Sequence, residues 1–273
     1  MDTTESTSTP EVPLRRKQPS GLRKFFTDFF VTLYKVNKFI FRFFREGVLP
    51  PYEGREVIRQ LFDVGLRSLT LISLTGFIVG LIFTKQSRPS LANFGATSWL
   101  PSLVSIAIMR ALAPLVTALI CAGKVGSSIG AELGSMRVTE QIDAMEVSGT
   151  NPFKFLVCSR VLATSIGLPI LATYFGLIAM LGGYVNVATN EGTSWSTYVN
   201  DFFSPLSFID FTASLIKSIV FGFTIGIVGC YQGYNANKGT EGVGNAANGA
   251  VVTAMFLVFI EEITIVQITG WFR

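Results

Sequence analysis

Residues 123–149 read GKVGSSIGAELGSMRVTEQIDAMEVSG, and this polar stretch stands between two long apolar segments. The rest of the chain is strongly apolar. Hydrophobic residues make up 49% of its 273 residues and charged residues only 15%, against roughly 25% in soluble domains. A chain embedded in lipid gains little from a charged, helix-compatible insert unless something outside the lipid binds it. The insert is therefore a candidate docking surface on a membrane protein.

Five apolar segments are long enough to cross a bilayer, which takes about 20 helical residues. They cover residues 64–86, 99–122, 153–186, 209–232 and 249–271. Two of the segments carry glycines four residues apart, Gly76 with Gly80 and Gly222 with Gly226. Such pairs let helices pack closely, although glycine is also simply common in membrane helices. The sequence predicts an all-α integral membrane protein with five transmembrane helices.

The N-terminal region is basic and rich in phenylalanine. Twelve of the 22 Lys and Arg residues lie within the first 67 positions, and phenylalanines alternate with them between residues 22 and 45. A basic surface can bind nucleic acid or an anionic membrane, but the phenylalanines favour an amphipathic helix lying on lipid. We therefore expect a disordered cytoplasmic tail over residues 1–20, an interfacial helix and linker over residues 21–55, and no nucleic-acid partner.

Lys and Arg in short loops mark the cytoplasmic side of a membrane protein. The N-terminal flank and residues 123–160 carry several such cations, whereas residues 187–208 carry none. Lys85 and Arg88, in the first outer loop, are a weak exception. We expect the N-terminus and the insert to face the cytoplasm, and five spans then place the C-terminus on the outer side.

The second half of the insert has the pattern of a short helix. Thr139 is its predicted N-cap, and Glu140 and Asp143 follow, where acidic side chains suit the positive end of the helix dipole. Gly149 and Pro152 are expected to end the helix. On pattern alone, a solvated loop lying on the headgroups is an equal alternative.

Four ionisable residues fall deep inside apolar spans: Arg110, Lys217, Glu261 and Glu262. A charge at the centre of a membrane helix costs about 2.5–3.5 kcal/mol, so such residues face a partner or a wet cavity. Counted at ~1.5 Å per residue, their depths agree, which predicts a single polar zone. Either the cations pair with the glutamates between helices, or they hold a lipid phosphate. Pro114 removes a hydrogen bond from the carbonyl of Arg110, which favours a wet or ligand-lined site.

Several chemistries do not fit the residue content. The chain has no histidine, which removes Ser-His-Asp chemistry, Cys-His chemistry and His-ligated metal sites. The three cysteines have no CxxC spacing and are typical of small buried apolar residues. Val125 follows Lys124 where a P-loop requires Ser or Thr. We therefore expect no metal, cofactor or nucleotide site in this chain and no catalysis of its own.

Residues 122–145, AGKVGSSIGAELGSMRVTEQIDAM, closely resemble the signature of MlaE/YrbE-type permeases, the membrane subunits of phospholipid-moving ABC transporters in bacteria and chloroplasts. Shorter matches are MRALAPLV at residues 109–116, LIKSIVF at 215–221 and QGY at 232–234. The resemblance covers residues from about 55 to 271 and marks residues 56–273 as an MlaE-type permease domain.

Two positions depart from the family pattern. Ala111 stands where the family has a glutamate, which removes a counter-charge for Arg110. Lys124 replaces an arginine and keeps the positive charge.

The resemblance implies a homodimer in the bacterial cytoplasmic (inner) membrane, with MlaF-like ABC ATPase subunits on the cytoplasmic side. ATP and Mg²⁺ are then used by that partner, and an MlaD-like MCE-domain lipid-binding protein lies on the outer face. The insert becomes a cytoplasmic coupling helix between the second and third spans. The residues carried over to ATPase contact and coupling are Lys124, Glu132, Arg137, Glu140 and Asp143.

Two other functions stay open. An ion- or proton-coupled secondary transporter could use the four intramembrane charges, and inverted repeats would support it, but no clear internal repeat is visible. The chain could also be a structural membrane anchor for a soluble partner.

Overall fold

The computed structural model describes residues 21–47 and 54–271, with side chains described from residue 30 onward. The described residues contain helices and no β-strand. Five helical segments are long and apolar enough to cross a membrane: Gly54–Asn93, Thr97–Val138, Phe153–Glu191, Phe208–Tyr234 and Thr240–Trp271. The predicted all-α integral membrane fold is confirmed. The predicted disordered tail over residues 1–20 lies outside the described residues.

The chain divides into two compact units, Met1–Phe41 and Arg42–Arg273. Helix α1 (Gly21–Gly47) begins in the first unit. Within residues 30–41 it exposes apolar side chains together with cations: Phe30, Leu33, Tyr34, Lys35, Lys38 and Phe41. This mixture is typical of a helix on a membrane surface, and the interfacial position stays a prediction.

The last residues of α1 belong to the second unit and pack there. The guanidinium of Arg42 lies 4.2 Å from the ring centroid of Phe153. The ring of Phe43 makes an edge contact with Phe223 at 5.5 Å. Glu46 accepts a hydrogen bond of 2.9 Å from Asn151. A cation–π contact, an aromatic pair and a hydrogen bond thus fix the end of α1 against later helices.

Helices α2 (Gly54–Asn93) and α7 (Ser159–Glu191) form the tightest helix pair, because glycines let their backbones touch. A Cβ atom added at Gly80 would lie 1.9 Å from the carbonyl oxygen of Ala179. One added at Gly182 would lie 2.2 Å from the carbonyl oxygen of Phe77. A Cβ added at Gly76 would lie 3.2 Å from the carbonyl oxygen of Phe175 on the same helix. Neighbouring turns of the two helices are therefore interlocked at backbone distance.

Helix α9 (Phe208–Tyr234) also packs closely against α7, again through glycines. A Cβ at Gly222 would approach the carbonyl oxygen of Thr164 to 2.5 Å, and one at Gly226 would approach the Thr164 hydroxyl to 2.3 Å. The structure thus places all four glycines singled out from the sequence at contacts with α7. Gly182, which makes one of the closest approaches, was not singled out.

The second span is one continuous helical segment, Thr97–Val138. A 3₁₀ turn (Thr97–Trp99) leads into it. Its parts are α3 (Leu100–Ala107), a π-helical segment π1 (Ile108–Leu112), α4 (Ala113–Cys121), a second π-helical segment π2 (Ala122–Gly126) and α5 (Ser127–Val138). The helix does not end with the predicted apolar span at residue 122 but continues for about four more turns. Helix α6 (Gln141–Val147) follows as a separate short element.

A third π-helical segment, π3 (Phe153–Cys158), leads into α7, and the short helix α8 (Trp195–Phe203) separates α7 from α9. Helix α8 is anchored by Tyr198, which is fully buried and donates a hydrogen bond of 3.2 Å to the carbonyl of Met180. Burial raises the pKa of Tyr198 well above its ordinary value.

Helix α10 (Thr240–Trp271) completes the bundle and buries only a narrow stripe of small residues. The buried positions are Gly242, Ala246, Ala250, Ala254 and Val258. Since residues four apart lie above one another on a helix, this stripe forms one face, and it packs against α9 and α5.

Candidate functional site

A lysine stands beside the backbone group that Pro114 leaves without its helical hydrogen bond. Arg110 lies in π1, four residues before Pro114. The Lys217 ammonium, from α9, donates a hydrogen bond of 3.1 Å to the carbonyl of Arg110 and pairs with Glu262 of α10 at 2.7 Å. Lys217 is buried among the spans. One lysine therefore joins the second, fourth and fifth spans.

Arg110 itself pairs with an acid that the sequence analysis did not select. Its Nη2 lies 2.7 Å from Asp210 Oδ2. Asp210 is buried in the first turn of α9, where it also accepts hydrogen bonds from the backbone N–H and the hydroxyl of Ser207. Asp210 thus provides a counter-charge for Arg110 in a chain whose position 111 is alanine. Of the pairing alternative, in which both cations bind the glutamates, the part that concerns Arg110 is wrong, because Arg110 pairs with Asp210, whereas Lys217 does pair with Glu262.

The two adjacent glutamates of α10 take different partners. Glu262 joins Lys217, whereas Glu261 accepts a hydrogen bond of 2.5 Å from the hydroxyl of Thr224. Arg110, Lys217 and Glu262 therefore come together as one polar zone, and Glu261 stands outside it. Among the described residues, Arg110 Nε and the Oε2 atoms of Glu261 and Glu262 are buried without a hydrogen-bond partner. Buried polar atoms of this kind usually bind water or a ligand.

The Arg110 pair borders a cavity of about 250 Å³. Its polar lining comes from Arg110, Asp210 and Lys217. Beside it lies an apolar groove of about 410 Å³ on α9 and α10, which shares the lining residues Ala213 and Thr269 with the cavity. A pocket that holds a guanidinium and an ammonium and is continuous with an apolar groove fits a molecule with an anionic head and hydrocarbon chains. Such a head would compete with Asp210 and Glu262 for the two cations.

The first half of the insert forms π2 and α5, and one face of this helix packs against α9 and α10. Its other face is exposed at Lys124, Ser128, Glu132 and Ser135, and docking on it stays a prediction. Ile129 and Leu133 of α5 are buried. A Cβ at Gly130 would lie 3.0 Å from the carbonyl of Ala246 in α10, and one at Gly233 of α9 would lie 2.7 Å from Leu133. Only α6 and its flanks stand out from the bundle, and Val147 at the end of α6 is 90% exposed.

The predicted helix start at Thr139 is also wrong. Thr139 closes α5, and its hydroxyl donates a hydrogen bond of 2.8 Å to the carbonyl of Ser135. Glu140 takes a left-handed backbone conformation, with φ of 60°, and forms the corner between α5 and α6. Gly149, with φ of 80°, lies just beyond α6, close to its predicted end.

The five residues predicted to contact an ATPase have different surroundings. Glu132 pairs with Arg160 at 2.9 Å, and Arg160 at the start of α7 is only 3% exposed. Arg137 and Asp143 form an ion pair across the corner. Glu140 lies 3.9 Å from Lys238, and both side chains are exposed.

Lys124 is exposed at the beginning of this region, in π2. The structure thus brings three of the five residues, Arg137, Glu140 and Asp143, to the corner between α5 and α6, whereas Lys124 lies about four turns earlier on the same segment. Glu132 instead holds a buried arginine of the permease bundle. Arg160, the last of the cations within residues 123–160, is this glutamate's structural partner.

No group of three or more His, Cys, Asp or Glu residues suited to a metal ion occurs within residues 21–47 and 54–271. The cysteines at positions 121, 158 and 230 are free thiols buried in the bundle.

Comparison with known proteins gives consistent matches. The profile of the family "Permease MlaE" matches residues 57–268. A probable ABC transporter permease protein of Rickettsia prowazekii is 38% identical over 221 residues, covering 81% of this chain and 85% of the relative. Probable ABC transporter permease proteins of Synechocystis and of Pyropia yezoensis are each 37% identical, covering 76% of this chain and 79% and 78% of the relatives.

Proposed function

This chain belongs to the MlaE permease family and is the multi-pass membrane subunit of an ABC transporter, and we propose that it moves phospholipids between membranes. Transport is driven by a separate ATPase subunit, which we propose to be MlaF-like and to use ATP and Mg²⁺. We further propose that two copies of the chain form a homodimer and that an MlaD-like MCE-domain protein exchanges lipid with it on the outer face.

The observation that carries the lipid proposal is the cavity at Arg110. Its cations suit a phosphate, because the guanidinium of Arg110 can donate two parallel hydrogen bonds and Lys217 adds a point charge. The neighbouring groove on α9 and α10 is almost entirely apolar and suits an acyl chain. The unpartnered buried atom Arg110 Nε is a further donor in this region.

The site and the coupling segment lie on the same span. Arg110 in π1 and the corner after α5 are connected by one uninterrupted helical segment, Thr97–Val138. We propose that the ATPase contacts α6 and its flanks and moves this segment. Asp210 and Lys217, both on α9, then change their distances to Arg110 and open or close the cavity.

The charge distribution supports an orientation. The N-terminus and the corner between α5 and α6 are proposed to face the cytoplasm, because the flanking segments carry the Lys and Arg residues. The C-terminus is proposed to lie on the periplasmic side of a bacterial cytoplasmic membrane.

The test is transfer of a fluorescent phospholipid from liposomes containing the chain with its cognate ATPase. We expect ATP-dependent transfer, reduced about tenfold by Lys217→Gln, because a lost charge-assisted hydrogen bond to phosphate is worth about 1.5–3 kcal/mol. Lys85→Gln removes an exposed lysine outside the cavity and is the matched control. Size-exclusion profiles of each variant establish that the complex is intact.

Other outcomes would reassign the function. Transport driven by an ion gradient without the ATPase would indicate a secondary transporter. Unchanged lipid transfer in both Arg110→Gln and Lys217→Gln would remove the Arg110 cavity as the lipid site. No transfer by the unaltered chain, with or without ATP, would indicate a structural anchor. Reversing the charges of Glu140 and Asp143 should abolish ATPase recruitment, and recruitment that survives this change would remove the proposed coupling role.

A further inference from the structure

A second polar cavity lies between α2 and the π2–α5 part of the second span. Its volume is about 250 Å³, and it shares no lining residue with the Arg110 cavity. The polar side chains that line it are Gln60, Asp63, Arg67, Ser68, Lys124, Ser128 and Glu132. The proposed lipid transport makes no use of this cavity.

When the ion pairs around this cavity are counted, one cation has no partner among the described residues. Asp63 pairs with Arg67 at 3.3 Å, and Glu132 pairs with Arg160 at 2.9 Å. Lys124 makes no ion pair within 4.0 Å in the part of the chain that the structure describes. The region therefore carries one unpaired positive charge, which suits a monoanion.

A buried hydroxyl points to a ligand independently of charge. Ser68 is fully buried, lines the cavity, and has no hydrogen-bond partner for its Oγ among the described residues. Ser73 and Ser127, in contrast, donate to the carbonyls four residues earlier, at 2.7 and 2.6 Å. Within the part of the chain that the structure describes, Ser105 is also buried without a partner for its Oγ, but it does not line this cavity, so the cavity is what distinguishes Ser68. Because an unpaired buried hydroxyl costs about 1–3 kcal/mol, the Ser68 group fits a hydrogen bond to something held in the cavity.

The cavity lies at the depth of lipid headgroups. Lys124 follows Arg110 by about 14 residues on the same helical segment, which corresponds to ~21 Å at ~1.5 Å per residue. Half of the hydrocarbon thickness is only ~15 Å, so Lys124 reaches the headgroup region when Arg110 is near the midplane.

We propose that this cavity binds the phosphodiester of a phospholipid headgroup, with Lys124 Nζ as its charge partner and Ser68 Oγ as a hydrogen-bond donor. A phosphodiester monoanion matches the one unpaired cation, and the headgroup depth makes membrane lipid its source. The bound lipid bridges α2, which is interlocked with α7, and α5, which leads to the corner at Glu140. The site is separate from transport, and it stands whatever substrate the Arg110 cavity takes.

The test is native mass spectrometry of the purified full-length chain titrated with phosphatidylglycerol. Diacylglycerol, which lacks the phosphodiester, is the ligand control. We expect Lys124→Gln to weaken one phosphatidylglycerol site about tenfold and Ser68→Ala to weaken it about threefold. Lys238→Gln removes an exposed lysine that lies outside the cavity and should leave phosphatidylglycerol binding unchanged. Arg110→Gln should leave this site intact, which separates it from failure of the transport proposal.

Three results would overturn the proposal. In the first, phosphatidylglycerol binds Lys124→Gln as tightly as the unaltered chain, or diacylglycerol binds as tightly as phosphatidylglycerol. In the second, excess inorganic phosphate displaces the lipid and itself binds in a Lys124-dependent way, which identifies a free-anion site. In the third, Lys124→Gln prevents ATPase recruitment while lipid binding is unchanged. Thermal unfolding of each variant in detergent distinguishes loss of the site from loss of the fold.

Discussion

The charged residues at Arg110 and those at the corner between α5 and α6 are of the same types but are used differently. At Arg110, the partners Asp210 and Lys217 come from a helix about a hundred residues away in sequence, and they are buried. At the corner, Arg137 pairs with Asp143 only six residues later, and both side chains are about half exposed. Buried charges in this protein tie spans together, whereas exposed charges shape a local surface. We therefore expect substitutions of the buried charges to lower stability and substitutions of the exposed charges to weaken binding of the ATPase.

Gly80→Ala should have the largest effect, because it disrupts the close backbone contact between α2 and α7. The added Cβ would lie 1.9 Å from the carbonyl of Ala179, so α2 and α7 must separate. We expect a loss of about 3 kcal/mol or more, measured as loss of the monodisperse peak in size-exclusion chromatography. Gly65→Ala on the same helix meets nothing within 4 Å and should behave like the unaltered chain. Equal behaviour of the two variants would contradict the interlocked packing.

Asp210→Ala should come second, because it leaves Arg110 without its counter-charge between spans. Removing one partner of a buried pair costs about 3 kcal/mol, and thermal unfolding in detergent should show the loss. Asp201→Ala, on α8 outside the spans, is the control. The double variant Arg110→Met/Asp210→Ala should lose less than the sum of the two single variants. Additive losses would mean that the two residues are not coupled.

The variants Glu132→Gln and Glu140→Gln test the same difference among the residues predicted to contact the ATPase. Glu132 holds Arg160, which is 3% exposed, so Glu132→Gln should cost about 1–2 kcal/mol of stability. Glu140→Gln should leave thermal stability unchanged and weaken capture of the ATPase in a pull-down. If the two variants exchange these effects, the division between structural and docking acids is wrong.

Tyr198→Phe should have the smallest effect, about 1 kcal/mol, because it removes one hydrogen bond to the carbonyl of Met180. Burial raises the pKa of Tyr198, so the folded chain keeps the neutral phenol while the unfolded chain ionises near pH 10. Stability from this group is therefore complete below pH 10 and falls as the pH rises further. Thermal scans from pH 8 to 11 should show a smaller decline for Tyr198→Phe than for the unaltered chain.

Hydropathy predicted the number of spans but not the ends of their helices. The first span was expected over residues 64–86, and its helix covers Gly54–Asn93. The second was expected to end at residue 122, and its helix ends at Val138. An apolar stretch marks only the part of a helix inside hydrocarbon, whereas polar turns such as those of α5 continue the helix through contacts with other spans. Such contacts are not visible in local sequence.

The polar site could be predicted in part. Arg110, Lys217 and Glu262 were expected in one zone because charges inside lipid need partners, and the structure brings them together. Asp210 was missed because it lies at the very start of its span. The Ser207-x-x-Asp210 capping pattern before an apolar run was the available signal, but it indicates only a helix start. The left-handed corner at Glu140 had no sequence signal, because glutamate rarely adopts positive φ.

The π-helical turn at Arg110 has a mechanical consequence. A π turn holds one residue more than an α turn, and each residue of an α-helix advances the winding by about 100°. If π1 relaxed to ordinary α geometry, the part of the Thr97–Val138 segment beyond it would rotate about the helix axis by about that angle. Such a rotation would move the guanidinium of Arg110 away from α9 while the helix stayed straight. A pull at the distant corner could therefore release an anion by rotation, with no bending of the helix and no sliding of α2 along α7.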